Sequence, residues 1–336
     1  MSDIITLAHG SGGKLTHSLI GDLFHRYFQN PLLLKNGDAA VFDTDKGSMA
    51  FTTDSYVITP LFFKGGNIGK LAVCGTVNDL AVSGARPLFL SCGFIIEEGF
   101  EIAQLEEVVR SMAEAAKEAE VSIVTGDTKV VQRGGADKLF INTSGIGLVP
   151  EGISLSSGRI EKGDKVILSG TLGDHGTSIL LERENFQIHS GLSSDCAPLN
   201  GMLQEIVREF GNEIHVMRDP TRGGVATTLN EFSKERGLGI RIFEDKLPIK
   251  DQVRGVCEML GLDPLYMANE GKVLLFAGGS CAGRVVESLK KHKYGRDAAV
   301  IGEVSELYPG KVFMSTVTGG NRIVDMLTGD QLPRIC

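Results

Sequence analysis

A net charge of −8 over 336 residues, with no basic stripe of Lys or Arg, excludes a nucleic-acid binder that tracks the phosphate backbone. Hydrophobic residues at 42% and charged residues at 23% describe a globular chain, long enough that two domains are the default. No apolar run approaches the roughly 20 residues of a membrane span and the first residues carry no signal pattern, so a cytoplasmic protein without a membrane partner is expected.

Hydrophobic periodicity predicts a helix over 15–28, with Leu15, Leu19, Ile20, Leu23, Phe24 and Tyr27 on one face. Short strands follow at 39–42 and 49–53, then a buried helix over 68–84 and a strand at 88–96. An amphipathic helix over 102–119 turns Leu105, Val109, Met112 and Ala116 inward, and strands at 121–125 and 139–149 complete the first half. The Gly-, Ser- and Pro-rich stretch 150–164 marks a boundary. Beyond it come strands at 165–169, near 240, at 273–276 and at 298–304. Helices are expected over 177–184, 199–210, 224–236, 253–260 and 285–293. Alternating strands and helices in both halves predict an α/β architecture. The expected division is a glycine-rich segment and helix (1–36), an N-terminal domain (37–150), a C-terminal domain (151–310) and a terminal region (311–336). Cys74, Cys92 and Cys257 lie in apolar runs and read as reduced core residues.

Several segments carry candidate chemistry. His9-Gly10-Ser11-Gly12-Gly13-Lys14 opens a predicted helix, where backbone N–H groups and Lys14 can meet an anion. It is not a P-loop, because Ala8 and Leu15 stand where that motif needs Gly and Ser or Thr. Asp38, Asp54, Asp79 and Asp127 stand beside small residues at expected turns or element ends. Carboxylates gathered around nucleotide phosphates repel unless hard divalent cations bridge them, and Mg²⁺ prefers such oxygen ligands. Met217-Arg218-Asp219-Pro220-Thr221-Arg222-Gly223-Gly224 suits an anion clamp or an Asp–Arg pair that fixes a turn. Glu270, in Asn269-Glu270-Gly271-Lys272, is either a general base or a solvated turn residue, and His175 in Gly173-Asp174-His175-Gly176-Thr177 reads as a loop or capping residue. The chain ends in Pro333-Arg334-Ile335-Cys336, a thiol on an extended arm preceded by a turn at 328–333.

Together these segments resemble the HypE family of hydrogenase maturation factors, within the aminoimidazole ribonucleotide synthetase-like superfamily. The blocks Thr52-Thr53-Asp54-Ser55, Gly75-Thr76-Val77-Asn78-Asp79-Leu80-Ala81 and Gly126-Asp127-Thr128-Lys129-Val130 carry the superfamily resemblance, and the Pro-Arg-Ile-Cys terminus carries the branch. The resemblance implies a two-domain α/β (α+β type) protein whose N-terminal sheets pair into an intersubunit barrel in a homodimer. A HypF-like carbamoyltransferase would load carbamoyl onto Cys336. ATP would then drive dehydration to a thiocyanate, and the cyanide would pass to iron on a HypC–HypD-type complex for a [NiFe]-hydrogenase. The resemblance further implies that Asp38, Asp54, Asp79 and Asp127 hold Mg²⁺ against ATP. Lys129 would orient the carbamoyl oxygen and Glu270 would assist deprotonation. Gly12, Gly13, Lys14, Arg218 and Arg222 would meet the phosphates. Two positions depart from the family pattern: Gly37 stands beside Asp38 where an adjacent acid is common, leaving Asp43 or water to compensate, and Lys64 stands where Pro is common. The thiol is expected to be raised by its own carboxylate, with Arg334 as an offset, so the partner enzyme would activate it. A thiol carrier without catalysis, or another ATP-using superfamily enzyme such as selenophosphate synthetase, are the alternatives.

Overall fold

The computed structural model describes residues 13–25, 31, 34, 38–45, 47–184, 191–327 and 334–336. Gly12, Gly37, Tyr27 and the expected turn at 328–333 lie outside the described residues.

Two sheets organise the chain. The first has the order β1-β2-β7-β5-β6, built from β1 (Ala40–Thr44), β2 (Gly47–Tyr56), β5 (Arg86–Glu97), β6 (Ser122–Val131) and β7 (Leu139–Val149). A two-stranded ribbon, β3 (Phe62–Phe63) and β4 (Gly66–Asn67), stands beside it. The second sheet has the order β14-β13-β10-β12-β8-β11-β9. Its strands are β8 (Lys165–Leu168), β9 (Ile214–Arg218), β10 (Gly239–Phe243), β11 (Leu274–Ala277), β12 (Ala299–Ser305), β13 (Val312–Ser315) and β14 (Asn321–Val324). Pairing is antiparallel except for β5 with β6 and β10 with β13, so the architecture is mixed α/β in two units.

Helix Ile68–Val82 joins the two units. Asn67 caps it by accepting the N–H groups of Gly69 and Lys70 at 2.9 and 3.1 Å. It is apolar around its circumference, as a helix enclosed on all sides must be. It packs on β2 and β7, on helix Ile102–Glu118, and on helix Asn200–Phe210 of the second half. The side chain of Asn78 crosses between the units, donating to the carbonyls of Ala197 and Glu270 and accepting from Leu199 N–H.

Several local expectations shift. Helix Ile102–Glu118 turns Leu105, Met112 and Ala116 inward as expected and buries Val108 and Ala115 beside them, while Val109 is 46% exposed. The expected helix over 15–28 is an α-helix at Lys14–Leu19 followed by a π-helical stretch at Ile20–Phe24, with Leu15 exposed. Strand β6 continues to Val131, well past the expected stop at 125. No described helix is long and apolar enough to cross a membrane.

Candidate functional site

Strand β2, helix Ile68–Val82 and the loop after β9 bring carboxylates from distant parts of the sequence to one place. Asp54 lies inside β2, where the hydroxyl of Tyr56 donates to it at 3.2 Å. Asp79 lies in the helix, with the Thr52 hydroxyl set between its carboxylate (2.8 Å) and the carbonyl of Asp38 (2.9 Å). Arg218 at the end of β9 holds Asp38 at 2.6 Å and Glu231 at 3.3 Å, and His17 meets the other oxygen of Glu231 at 2.9 Å. Arg218 therefore pairs with Asp38 rather than with its neighbour Asp219. The turn after Asp219 is sharp because Gly223 and Gly224 both take left-handed backbone, at φ 73° and 61°. A Cβ on Gly224 would stand 2.6 Å from the carbonyls of Leu265 and Met267, so only glycine fits.

Glu270 arrives from the loop before β11. Its backbone N–H donates to Asp195, which pairs with Lys272 at 3.1 Å. A Cβ on the next residue, Gly271, would fall 1.8 Å from the carbonyl oxygen of Asp195, which explains the glycine there. Glu270 is 3% exposed, and its Oε1 has no hydrogen-bond partner among the described residues. Such an atom is costly unless a ligand or reacting group uses it.

The electrostatics describe a site short of positive charge. Burial raises Asp38 to about 6, although Arg218 opposes it. Burial, reinforced by Asp38, raises Asp219 to about 8. Asp79 is raised well above the carboxylate range by burial and then by Asp54, Asp219 and Asp38. Glu270 is raised by burial and by Cys196, Asp219, Asp195 and Asp54. As pH rises through about 6 and about 8, Asp38 and Asp219 add negative charge that the cluster itself does not balance.

The end of the chain docks beside this cluster. A main-chain carboxylate oxygen of Cys336 accepts the N–H of Val57 at 3.1 Å, and the carbonyl of Arg334 accepts the N–H of Thr59 at 3.2 Å. The buried side chain of Ile335 joins the core of the first unit. Burial pushes the Cys336 thiol up to about 12; Arg222 opposes this, while Glu270, Asp54 and Asp219 reinforce it. The expected offset from Arg334 is corrected: that side chain turns away to Asp137 at 2.5 Å and to the carbonyl of Val57 at 2.7 Å. A docked thiol is thus protonated at neutral pH, and the docked state suits chemistry on a group already carried by sulfur.

Not every sequence candidate joins this site. Asp127 and Lys129 pair with each other at 3.0 Å on β6, with side chains 67% and 68% exposed. Asp127 stands in register with Gly93, then Asn142, then Ser55, so three strand spacings (roughly 14 Å) separate it from β2. Within one chain, Asp127 and Lys129 therefore stand apart from Asp38, Asp54, Asp79 and Cys336. Asp127 sits mid-strand rather than at an element end because β6 runs on past Thr125. Gly13 is buried at the start of helix Lys14–Leu19, whereas Lys14 is exposed. Asp43 is also exposed and is held by the Ser48 hydroxyl. The carbonyl of Lys64 accepts the N–H of Ser194 at 2.8 Å. Asp219, Asp195 and Tyr56 were missed as site residues. Asp219 alone had a signal, lying inside the Met217–Gly224 motif.

The chain matches the family models for the AIR synthase related protein N-terminal domain over residues 36–149 and C-terminal domain over residues 161–314. It is 51% identical over 332 residues to the carbamoyl dehydratase HypE of Bradyrhizobium diazoefficiens, covering 99% of this chain and 96% of that protein. The chain belongs to the HypE family. A crystal structure of HypE in complex with ATP matches with a TM-score of 0.83 and 48% identity, covering 99% of this chain and all of that one. HypE in a crystal structure of a HypE–HypF complex matches with a TM-score of 0.88 and 49% identity, covering 92% of this chain and 100% of that chain. The two-unit AIR synthase-like architecture follows from both the family match and the fold.

Proposed function

We propose that this chain is an ATP-dependent carbamoyl dehydratase acting on its own C-terminus. The observation that carries the reading is the docking of the Cys336 tail on Val57 and Thr59, within reach of the charges of Arg222, Glu270, Asp54 and Asp219. A carbamoyl oxygen is a poor leaving group. In the proposed reaction it attacks the γ-phosphorus of ATP and ADP departs. The C–O bond then breaks, phosphate leaves and the nitrogen loses both protons, so S–C(=O)NH₂ becomes S–C≡N. Glu270 takes one of these protons and the departing phosphate carries the other; a buried carboxylate that binds protons tightly is a strong base once ionised. Arg222 and Arg218 supply positive charge toward the phosphates.

The donor set fits Mg²⁺. Asp38, Asp54, Asp79 and Asp219 offer hard oxygen ligands, and Asp38, Asp79 and Asp219 are raised first by burial and further by neighbouring carboxylates, an environment that a cation would relieve. Bound there, Mg²⁺ would neutralise charge between these carboxylates and the triphosphate.

A homodimer accounts for the remaining candidates. Strand β6 is exposed along nearly its whole length, and Phe51, Phe89, Ile95, Val124 and Val130 present apolar surface on the first sheet. Two copies pairing these sheets into a barrel would cover that surface. The same pairing would carry Asp127 and Lys129 of one copy to the cluster of the other. In this reading a HypF-type carbamoyltransferase loads the undocked tail. The cyanide passes to a HypC–HypD-type complex for the iron of a [NiFe]-hydrogenase.

Phosphate release tests the reading. Protein loaded with carbamoyl should release phosphate from ATP in step with loading, and the Cys336→Ala variant should release none above background. Equal ATP turnover by wild type and variant would point to a small-molecule enzyme instead.

A further inference from the structure

We propose that His175 and Arg183 form a backbone clamp that sets the docked position of the tail, so that both are positioning residues for the reaction on Cys336. The proposal builds on the dehydratase reading, but its physical basis is independent of it. Both residues belong to helix Asp174–Arg183 in the second unit, whereas Val57 and Thr59 belong to the first; Arg183 shares the Arg334 carbonyl with Thr59, and His175 takes the carbonyl of Ile335 on the opposite edge. The tail is therefore held between the two units.

His175 is completely buried, with Nε2 2.8 Å from the carbonyl oxygen of Ile335 and Nδ1 2.8 Å from the hydroxyl of Ser194. A carbonyl only accepts, so Nε2 carries the proton, and Nδ1 accepts from Ser194. Burial lowers the pKa of His175, which keeps the ring neutral and preserves this polarity. Ser194 is fixed in turn: its Oγ accepts the N–H of Cys196 at 3.1 Å and its N–H donates to Lys64. The ring of Phe63 meets the imidazole edge-on at 5.7 Å. At the other end of the helix, the guanidinium of Arg183 donates to the carbonyls of Arg334 at 2.9 Å and of Thr59 at 2.8 Å.

The geometry has a chemical consequence. The clamp grips the carbonyls of Arg334 and Ile335 and makes no use of the sulfur. It can therefore hold the tail at one depth whether the thiol is free, carbamoylated or cyanated, fixing the last residue beside Val57. Arg334 adopts left-handed backbone at φ 54°, a conformation that side-chain-bearing residues take rarely. A tail bent in this way needs partners on both edges to stay docked.

The test is alkylation of the full-length protein with iodoacetamide, followed by peptide mass analysis. Cys336 is half-buried and the other five cysteines are buried, so Cys336 reports docking and the others report folding. His175→Ala should speed alkylation of Cys336 about tenfold, the effect of losing one buried hydrogen bond. Cys74, Cys92, Cys196, Cys257 and Cys281 should stay unreacted. His175→Gln, which keeps an N–H donor at similar reach, should restore protection. The same His175→Ala protein, loaded with carbamoyl beforehand, should dehydrate it about tenfold more slowly with the KM for ATP unchanged. If His175→Ala exposes all six cysteines, the half-buried Arg183→Ala replaces it with the same expectations. Wild-type alkylation of Cys336 in a folded variant would overturn the clamp. Faster alkylation in a system where even wild type never dehydrates would leave the clamp standing and overturn the dehydratase reading.

Discussion

Glu270→Gln is expected to dehydrate a carbamoylated tail about 100-fold more slowly or worse, the usual cost of losing a general base. It should load carbamoyl as wild type does. Glutamine keeps the volume of the side chain, and the main-chain bonds to Asp195 and Asn78 do not involve the carboxylate. Stability should move the other way. The folded-state pKa of Glu270 is raised, so its contribution to stability is present below the ordinary carboxylate range and is lost as pH rises through the raised value. A neutral glutamine removes that loss. The variant should therefore melt at or above the wild-type temperature at pH 8 while failing in catalysis. Loaded-tail dehydration at the wild-type rate would move the base to another residue.

The second large effect is expected from mixing subunits. Lys129→Ala alone should be nearly inactive if Lys129 orients the carbamoyl oxygen. If it acts on the other copy's site, a mixture of Lys129→Ala and Glu270→Gln chains should regain activity on subunit exchange. Random pairing makes half of the dimers mixed, each with one intact site, so about a quarter of wild-type activity should return. No recovery after proven exchange would place Lys129 in its own chain's site, and that would require β6 to move relative to β2.

Much of this site was legible because its members sit in short local motifs. Asp54, Asp79, Glu270 and Cys336 each stand in a segment whose small neighbours or terminal position mark it without knowledge of the fold. Asp127 and Lys129 look equivalent in sequence. Their distance from the cluster appears only once β7 and β5 are known to lie between β6 and β2. On the inner face of helix Ile102–Glu118 only Val109 was misplaced, because Val108 and Val109 are both apolar and differ only in the angle they take around the helix. Strands β9, β13 and β14 escaped notice for a different reason. All three are four or five residues long; polar residues such as His215, Arg218, Asn321 and Arg322 dilute β9 and β14, while β13 is a three-residue apolar run without alternation. His175 and Arg183 could not have been read at all, because their partners lie 160 and 151 residues away and are main-chain carbonyls, which carry no sequence signal.

The most direct measurement is the mass of the C-terminal peptide after incubation with a carbamoyltransferase, carbamoyl phosphate and Mg-ATP. The account predicts a carbamoyl adduct on Cys336 that loses one water only when ATP is present. An adduct that forms and persists unchanged with ATP would contradict it and leave Cys336 as a carrier thiol.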